Sequence, residues 1–479
     1  MSNDFSHPDV LPGEKVVYHE EILTPKDPSL SASYRPPVED AIESIRGVIS
    51  GWEVPFAAGT LPHHRNIEEQ NLYTCLFGRD ALIIARFLYP THTNFLSQAV
   101  QALGAFQGHS LVAASEEEPG RIPHEVRDST DSRGVEISKG SGWVFPYYGS
   151  VDATPLWLTA LTTLASGSIE MMDKQIAGRT LWERAEAATT WLLSRLDADG
   201  GVLRSRRSNT HGILNQVWKD SGDSYMDKSG RVATQPGTAS VETIGETVDA
   251  LHSAAWLAAQ SPHRWAVTPA DLTLRATTLR DHLLDSWWMG DFFAMGHGVI
   301  EGRETFLDAL ASNQWRLLDS QILDHDDAAH HRTALIDSVT DPDILGPNGL
   351  RTLASSHPRY RPGGYHTGSS WPMDTATIIR GLIRHGARAE ARELASRTLR
   401  AITHVGGYPE LFRSDESEPS GVSRWTVDIW DDAIGGPNRV SQPPQMLQGW
   451  TIAAYHWLST AGFTAIDRRD TSGPKESQK

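Results

Sequence analysis

The stretch Leu76-Phe77-Gly78-Arg79-Asp80-Ala81-Leu82-Ile83-Ile84-Ala85-Arg86-Phe87-Leu88 is the key to how this chain folds. Apolar side chains recur at i, i+3, i+4 and i+7 (Ala81, Ile84, Ala85, Leu88), the period of a helix with one face against a core. The helix opens on Gly78-Arg79-Asp80. An acid at that place caps the helix or favours its dipole. Beside Arg79, Asp80 has a second reading, because an Arg-Asp pair can fork across two neighbouring hydroxyls of a sugar.

Elsewhere in the chain the same period recurs at about 38–50, 80–90, 94–108, 152–166, 179–196, 240–260, 269–287, 303–333, 371–386, 388–404 and 444–461. Start signals agree: Asp152 and Thr154 precede Pro155, and Thr268 or Asp271 opens a later helix. Taken alone, Asp152 reads as a cap. Alternating strand patterns are scarce. Long loops rich in Gly, Pro and aromatic residues separate the helices at 109–151, 205–239, 334–371 and 405–443. In a compact domain, loops of such length carry function. No repeat supports a solenoid, and no Pro/Ser-rich linker interrupts 37–465. The expectation is an all-α fold: an extended arm at 1–36, one domain at 37–465 and a disordered tail at 466–479. A closed toroid of helical hairpins would let the loops at one end build a single pocket.

Composition narrows the function. The 479 residues carry a formal charge of −17 from 43 basic and 60 acidic side chains. Nucleic-acid binding needs a basic face and is disfavoured; a neutral polar substrate fits. The single cysteine, Cys75, excludes an internal disulfide framework and a thiol metal cluster. With no secretory pattern near residue 1 and no apolar run of membrane-spanning length, a cytoplasmic protein without a membrane partner is expected. Sixteen tryptophans are many for this length, and pyranose rings stack on such surfaces.

Two segments carry the chemistry. In Trp218-Lys219-Asp220-Ser221-Gly222-Asp223-Ser224 two acids stand three apart, beside an aromatic platform, in a stretch unfit for a helix interior. In Tyr408-Pro409-Glu410-Leu411-Phe412 one carboxylate is flanked by apolar and aromatic residues. Glycoside hydrolysis needs two carboxylates, one as acid and one as base or nucleophile. Gly363-Gly364-Tyr365-His366-Thr367-Gly368-Ser369-Ser370-Trp371-Pro372-Met373-Asp374 combines a permissive backbone with aromatic rings and hydrogen-bond donors, a costly composition that favours a site role. Tyr147 and Tyr148 suit a polar pocket. Glu125 reads as an ion-pair partner of Arg127 or Arg121. His124-Glu125 lacks a second histidine at zinc spacing, and the Asp324 to His331 stretch reads as surface helix, so neither metal nor organic cofactor is expected. Serine-elbow, phosphate-loop and dinucleotide fingerprints are absent.

Taken together, Leu76 to Leu82, Arg121 to Arg127, Tyr147 to Leu156, Asn215 to Ser224, Arg361 to Asp374 and Pro409 to Phe412 resemble, in order, bacterial amylo-α-1,6-glucosidase-like proteins, the glucosidase part of glycogen-debranching enzymes. Glucoamylase-type and glucosylglycerate- or mannosylglycerate-type hydrolases look similar at the Arg-Asp pair and the tryptophan loop. The resemblance implies an (α/α)6 barrel and an inverting, exo-acting α-glucoside hydrolase with Glu410 as base. One alignment makes Asp220 the acid. The other makes it Asp223; that reading is preferred, with Asp220 as a ligand of sugar hydroxyls. Arg79, Asp80, Tyr148, Trp218, His366 and Trp371 are expected to bind the substrate. The short arm stands where debranching proteins carry a β-rich domain, so a small α-glucoside or oligosaccharide is expected as ligand. A glycerate-glycoside hydrolase is the alternative activity, and a non-catalytic carbohydrate-binding toroid the alternative class. Monomer and homo-oligomer are left open.

Overall fold

A computed structural model describes residues 36–60, 73–89, 91–415, 426–431, 436–441 and 447–461. The arm expected at 1–36, except its last residue, and the tail at 466–479 lie outside these residues. Twelve α-helices are present among them: α1 (Val38–Ser44), α2 (Gly78–Leu88), α3 (Thr93–Ala105), α4 (Ser132–Ser141), α5 (Ala153–Gly167), α6 (Leu181–Ala198), α7 (Val241–Gln260), α8 (Pro269–Ser286), α9 (Ala329–Ser338), α10 (Pro372–Arg384), α11 (Arg388–Val405) and α12 (Gly449–Thr460). A 3-10 segment, Ser312–Asp319, stands where another helix of the barrel would be.

These elements close a ring. α2 packs on α5, α5 on α7, α7 on the 3-10 segment, that segment on α10, α10 on α12, and α12 back on α2. Outside the ring α1 lies on α12, α3 on α2, α6 on α5 and α7, α8 on α7, α9 on the 3-10 segment and α11 on α10. Outer and inner elements alternate along the chain, as an (α/α)6 barrel requires. Burial follows: ten of the eleven residues of α2 and all eight of the 3-10 segment are buried. An inner element touches neighbours all round, so its apolar stripe widens to nearly its whole surface. Local signals place the ends. Thr180 and Glu183 form a capping box on α6. Thr268 accepts from the backbone of Asp271, with Pro269 opening α8.

Two expected helices are corrected. In place of one helix at 303–333 the chain forms a hairpin, Gly296–Ile300 with Arg303–Leu307, then the 3-10 segment, then α9. The expected helix at 38–50 stops at Ser44, and Arg46–Ile49 pairs with Trp52–Pro55. The physical reason is shared. Glu301-Gly302 (φ 50° and 77°) and Ser50-Gly51 (φ 48° and 83°) both place two residues at positive φ. That is the two-residue type I′ turn, whose twist matches antiparallel strands.

Candidate active site

The N-terminal ends of three inner elements converge. Arg79 and Asp80 in the first turn of α2, Trp371 preceding α10, and Gln448 and Trp450 at the start of α12 all line one cleft. Asp220, Glu410, Glu125, His124, Trp218, Tyr365, His366, Tyr73, Phe77 and Trp143 complete it.

One wall is built where Leu76–Phe77 pairs with Glu125–Val126. The strands meet closely: a Cβ on Gly78 would stand 2.1 Å from the Pro123 carbonyl oxygen, so only glycine fits. Arg79 points inward, but its guanidinium is already spoken for. Nε donates to Asp152 Oδ2 at 2.6 Å and a terminal nitrogen to Oδ1 at 3.2 Å, while Ser150 Oγ donates to Asp152 Oδ1 at 2.5 Å. Burial alone would lower the Arg79 pKa, but Asp152 outweighs it and raises it, with Asp220 and Asp80 adding to the effect. Asp152 therefore corrects the expectation of a cap: it precedes α5 without a side-chain capping bond and holds Arg79 instead. Glu125 pairs with Arg127, which also reaches Asp131 at 3.0 Å.

A second wall is the tryptophan loop. The Trp218 ring lies edge-on to His366 and Trp371 at 5.5 and 5.8 Å, with Arg316 5.2 Å from its centroid. Ser221 Oγ meets His366 Nδ1 at 2.7 Å, and Asn215 donates to the Ser221 carbonyl at 2.8 Å. Ser224 N–H closes a turn onto that carbonyl at 3.2 Å, with Gly222 and Asp223 between them, partly buried like Asp220. Asp220 lines the cleft and Asp223 does not.

The third wall joins the glycine-rich loop to the Glu410 loop. Ser370 and Phe412 exchange both backbone hydrogen bonds, at 2.9 and 2.8 Å. Tyr365 donates its hydroxyl to Glu410 Oε1 at 2.7 Å. Trp371 donates to the Tyr365 carbonyl at 2.8 Å and stacks on His366 at 5.2 Å and 23°. Tyr148, expected to bind substrate, is absent from the lining, and its hydroxyl donates to the Phe106 carbonyl at 2.8 Å. Burial raises its pKa to well above the usual tyrosine value.

The sequence reading missed Tyr73, Phe77, Trp143, Gln448 and Trp450 and took Glu125 only as an ion-pair partner. Trp143 belongs to a separate small apolar cluster with Ile137, Tyr147 and Ile213 beneath α4, stacked on Tyr147 at 4.0 Å and 12°. The abundance of tryptophan was the available signal for Trp143 and Trp450. Among the described residues no group of His, Cys, Asp and Glu could hold a metal ion, and no helix is long and apolar enough to cross a membrane. His330 and His331 of the histidine-rich stretch pack edge-on against Trp288 at 5.8 and 4.7 Å.

Known proteins supply an independent line. The family model of the mannosylglycerate hydrolase MGH1-like glycoside hydrolase domain matches residues 120–426. A GH63 mannosylglycerate hydrolase from Thermus thermophilus, solved with Tris and D-glycerate, is similar at TM-score 0.58 and 14% identity, over 88% of this chain and 100% of that one. Its structure with glucose gives 0.57 and 16%, over 89% and 100%. An uncharacterized conserved protein from the same organism gives 0.57 and 14%, over 88% and 98%. At such identities the likeness shows the fold. No curated protein matches the sequence.

Proposed function

Because the chain belongs to the MGH1-like glycoside hydrolase family, we propose that its substrate is a small glycoside of the mannosylglycerate or glucosylglycerate type, cut with inversion by Asp220 and Glu410. The enzyme is a glycoside hydrolase; the matching family favours this substrate class over the amylo-1,6-glucosidase expectation. The observation that carries the reading is that one cleft holds both Asp220 and Glu410 among tryptophans.

Asp220 is the general acid and replaces Asp223 in that role. It delivers its proton to the glycosidic oxygen as the bond from C1 breaks. Glu410 takes a proton from the water whose oxygen bonds to C1, and the Tyr365 hydroxyl holds the carboxylate in place for it. Inversion requires about 6.5–9.5 Å between the two carboxyls to admit that water. Asp80, Glu125 and His366 serve the sugar hydroxyls, while Trp218, Trp371 and Trp143 form apolar walls. Arg79 sits behind them, paired to Asp152, and its charge faces Asp80 and Asp220.

The deciding experiment incubates the enzyme with mannosylglycerate, glucosylglycerate and α-1,2-, α-1,4- and α-1,6-linked glucose disaccharides, following the anomer released by NMR. Release of the β-anomer from a glycerate glycoside is expected. Retention, or turnover of isomaltose alone, overturns the reading. Asp220→Asn is expected to cost ~10³-fold or more in kcat and Asp223→Asn less than ~10-fold; the reverse order returns the acid role to Asp223.

A further inference from the structure

We propose that Lys219 is the positioning residue for Asp220: its buried ammonium pins the acid-bearing loop to the backbone that carries the base. This inference rests on the assignment of Asp220 as acid. Lys219 is 0% exposed, although its neighbours in sequence line a cleft. Its Nζ donates to Asn313 Oδ1 and to the Thr352 carbonyl, both at 2.6 Å. Asn313 is itself held, its amide donating to both oxygens of Glu242 at 3.0 Å. Thr352 leads the other way: its N–H donates to the Ser369 carbonyl at 2.9 Å, and Ser370 then pairs with Phe412, two residues beyond Glu410.

Consecutive Cα atoms stand about 3.8 Å apart across a trans peptide. Locking the depth of Lys219 therefore locks the position from which the Asp220 side chain departs. An apolar residue of like shape would fill the space without the penalty of burying a charge, yet would leave Asn313 and Thr352 without their donor. Burial pulls the Lys219 pKa down to about 8, with Asp374 and Glu242 opposing it, so the ammonium keeps its three donors at neutral pH. Glu410 keeps its own supports, the Tyr365 hydroxyl and the Ser370–Phe412 backbone pair. Loss of Lys219 is therefore expected to loosen the acid and spare the base.

That asymmetry supplies the test. A glycosidic oxygen must be protonated as it leaves, whereas fluoride leaves an α-glycosyl fluoride without a proton. In both reactions water bonds to C1 and yields its proton to Glu410. Lys219→Met is expected to lower kcat on the glycerate glycoside by ~10²-fold and on the α-fluoride of the same sugar by under about threefold. Equal losses on the two, or no loss on either, overturn the proposal. Asn313→Ala, which removes one of the two anchors, is expected to show the same selectivity at ~10-fold; it decides the question where Lys219→Met does not fold. Asp220→Asn is measured alongside. If it harms both substrates equally, the acid assignment itself has failed. If it discriminates between them and Lys219→Met does not, only the role given to Lys219 has failed.

Discussion

Replacing Asp152 by alanine is expected to harm this protein twice. The Arg79–Asp152 pair is buried at both ends, with side chains 4% and 3% exposed, and is joined by two hydrogen bonds. Removing one partner of such a pair strands a charge in the interior and costs about 3–5 kcal/mol. For a chain of this length, unfolding entropy of about 2.1 cal/mol/K per residue amounts to about 1 kcal/mol per degree, so the melting midpoint falls by about 3–5 °C. The second effect is catalytic. The charges of Asp80 and Asp220 also act on Arg79. Released from Asp152, the guanidinium turns to them, and a cation beside Asp220 favours its ionised form. A general acid must carry its proton, so kcat falls and the alkaline limb of the pH–rate profile moves to lower pH. Replacing the pair together, Arg79→Met with Asp152→Leu, removes the stranded charge and returns most of the lost stability, without restoring activity. Calorimetry and kcat profiles on the three variants check this. A midpoint within about 1 °C of the parent for Asp152→Ala, or a double variant as unstable as the single one, would refute the reasoning.

Other outcomes follow from the same geometry. Tyr148→Phe is expected to leave KM unchanged and cost about 1 kcal/mol of stability, because its hydroxyl serves the Phe106 carbonyl away from the cleft; a several-fold rise in KM would contradict that. Tyr365→Phe removes a donor from the Glu410 carboxylate, so protonation of the base becomes easier and the acidic limb of kcat/KM is expected to rise in pH. Lys219 titrates near 8 when folded against an ordinary 10.5, so between those values the unfolded chain binds more protons and stability rises with pH. The stability of the parent relative to Lys219→Met is therefore expected to grow by about 2 kcal/mol between pH 8 and 9.5 in denaturant titrations. A difference that stays flat across this range would show that the ammonium is not buried as described.

Much of the fold could be read from periodicity. An inner helix such as α2 shows its buried face in the spacing of Ala81, Ile84, Ala85 and Leu88, and its whole burial in the shortage of polar residues after Asp80. The hairpins at Ser50-Gly51 and Glu301-Gly302 were hidden because neither turn carries the Asn-Gly or Asp-Gly pair that marks type I′, and their flanking residues also fit a helical period. The site was half legible. Carboxylates in loops beside tryptophan signalled sugar chemistry, and Asp220 and Glu410 do line one cleft. Asp152 was misread because a cap is a local reading, whereas its bonds run to Arg79, far along the chain; the Tyr148 hydroxyl likewise bonds to distant Phe106.

The order of amino acids was enough to reveal the class of this molecule: a helical toroid whose long loops carry paired acids and aromatic walls. Helical period and residue chemistry are properties of a residue and its near neighbours. Which of two aspartates three positions apart faces the cleft is not such a property. It depends on Ser221 reaching His366, on Lys219 reaching Asn313 and Thr352, and on the Ser221–Ser224 turn that separates the two acids. Those contacts exist only once the barrel has closed and brought distant loops together, so the choice between the two acids is made in three dimensions and leaves no mark on the local sequence.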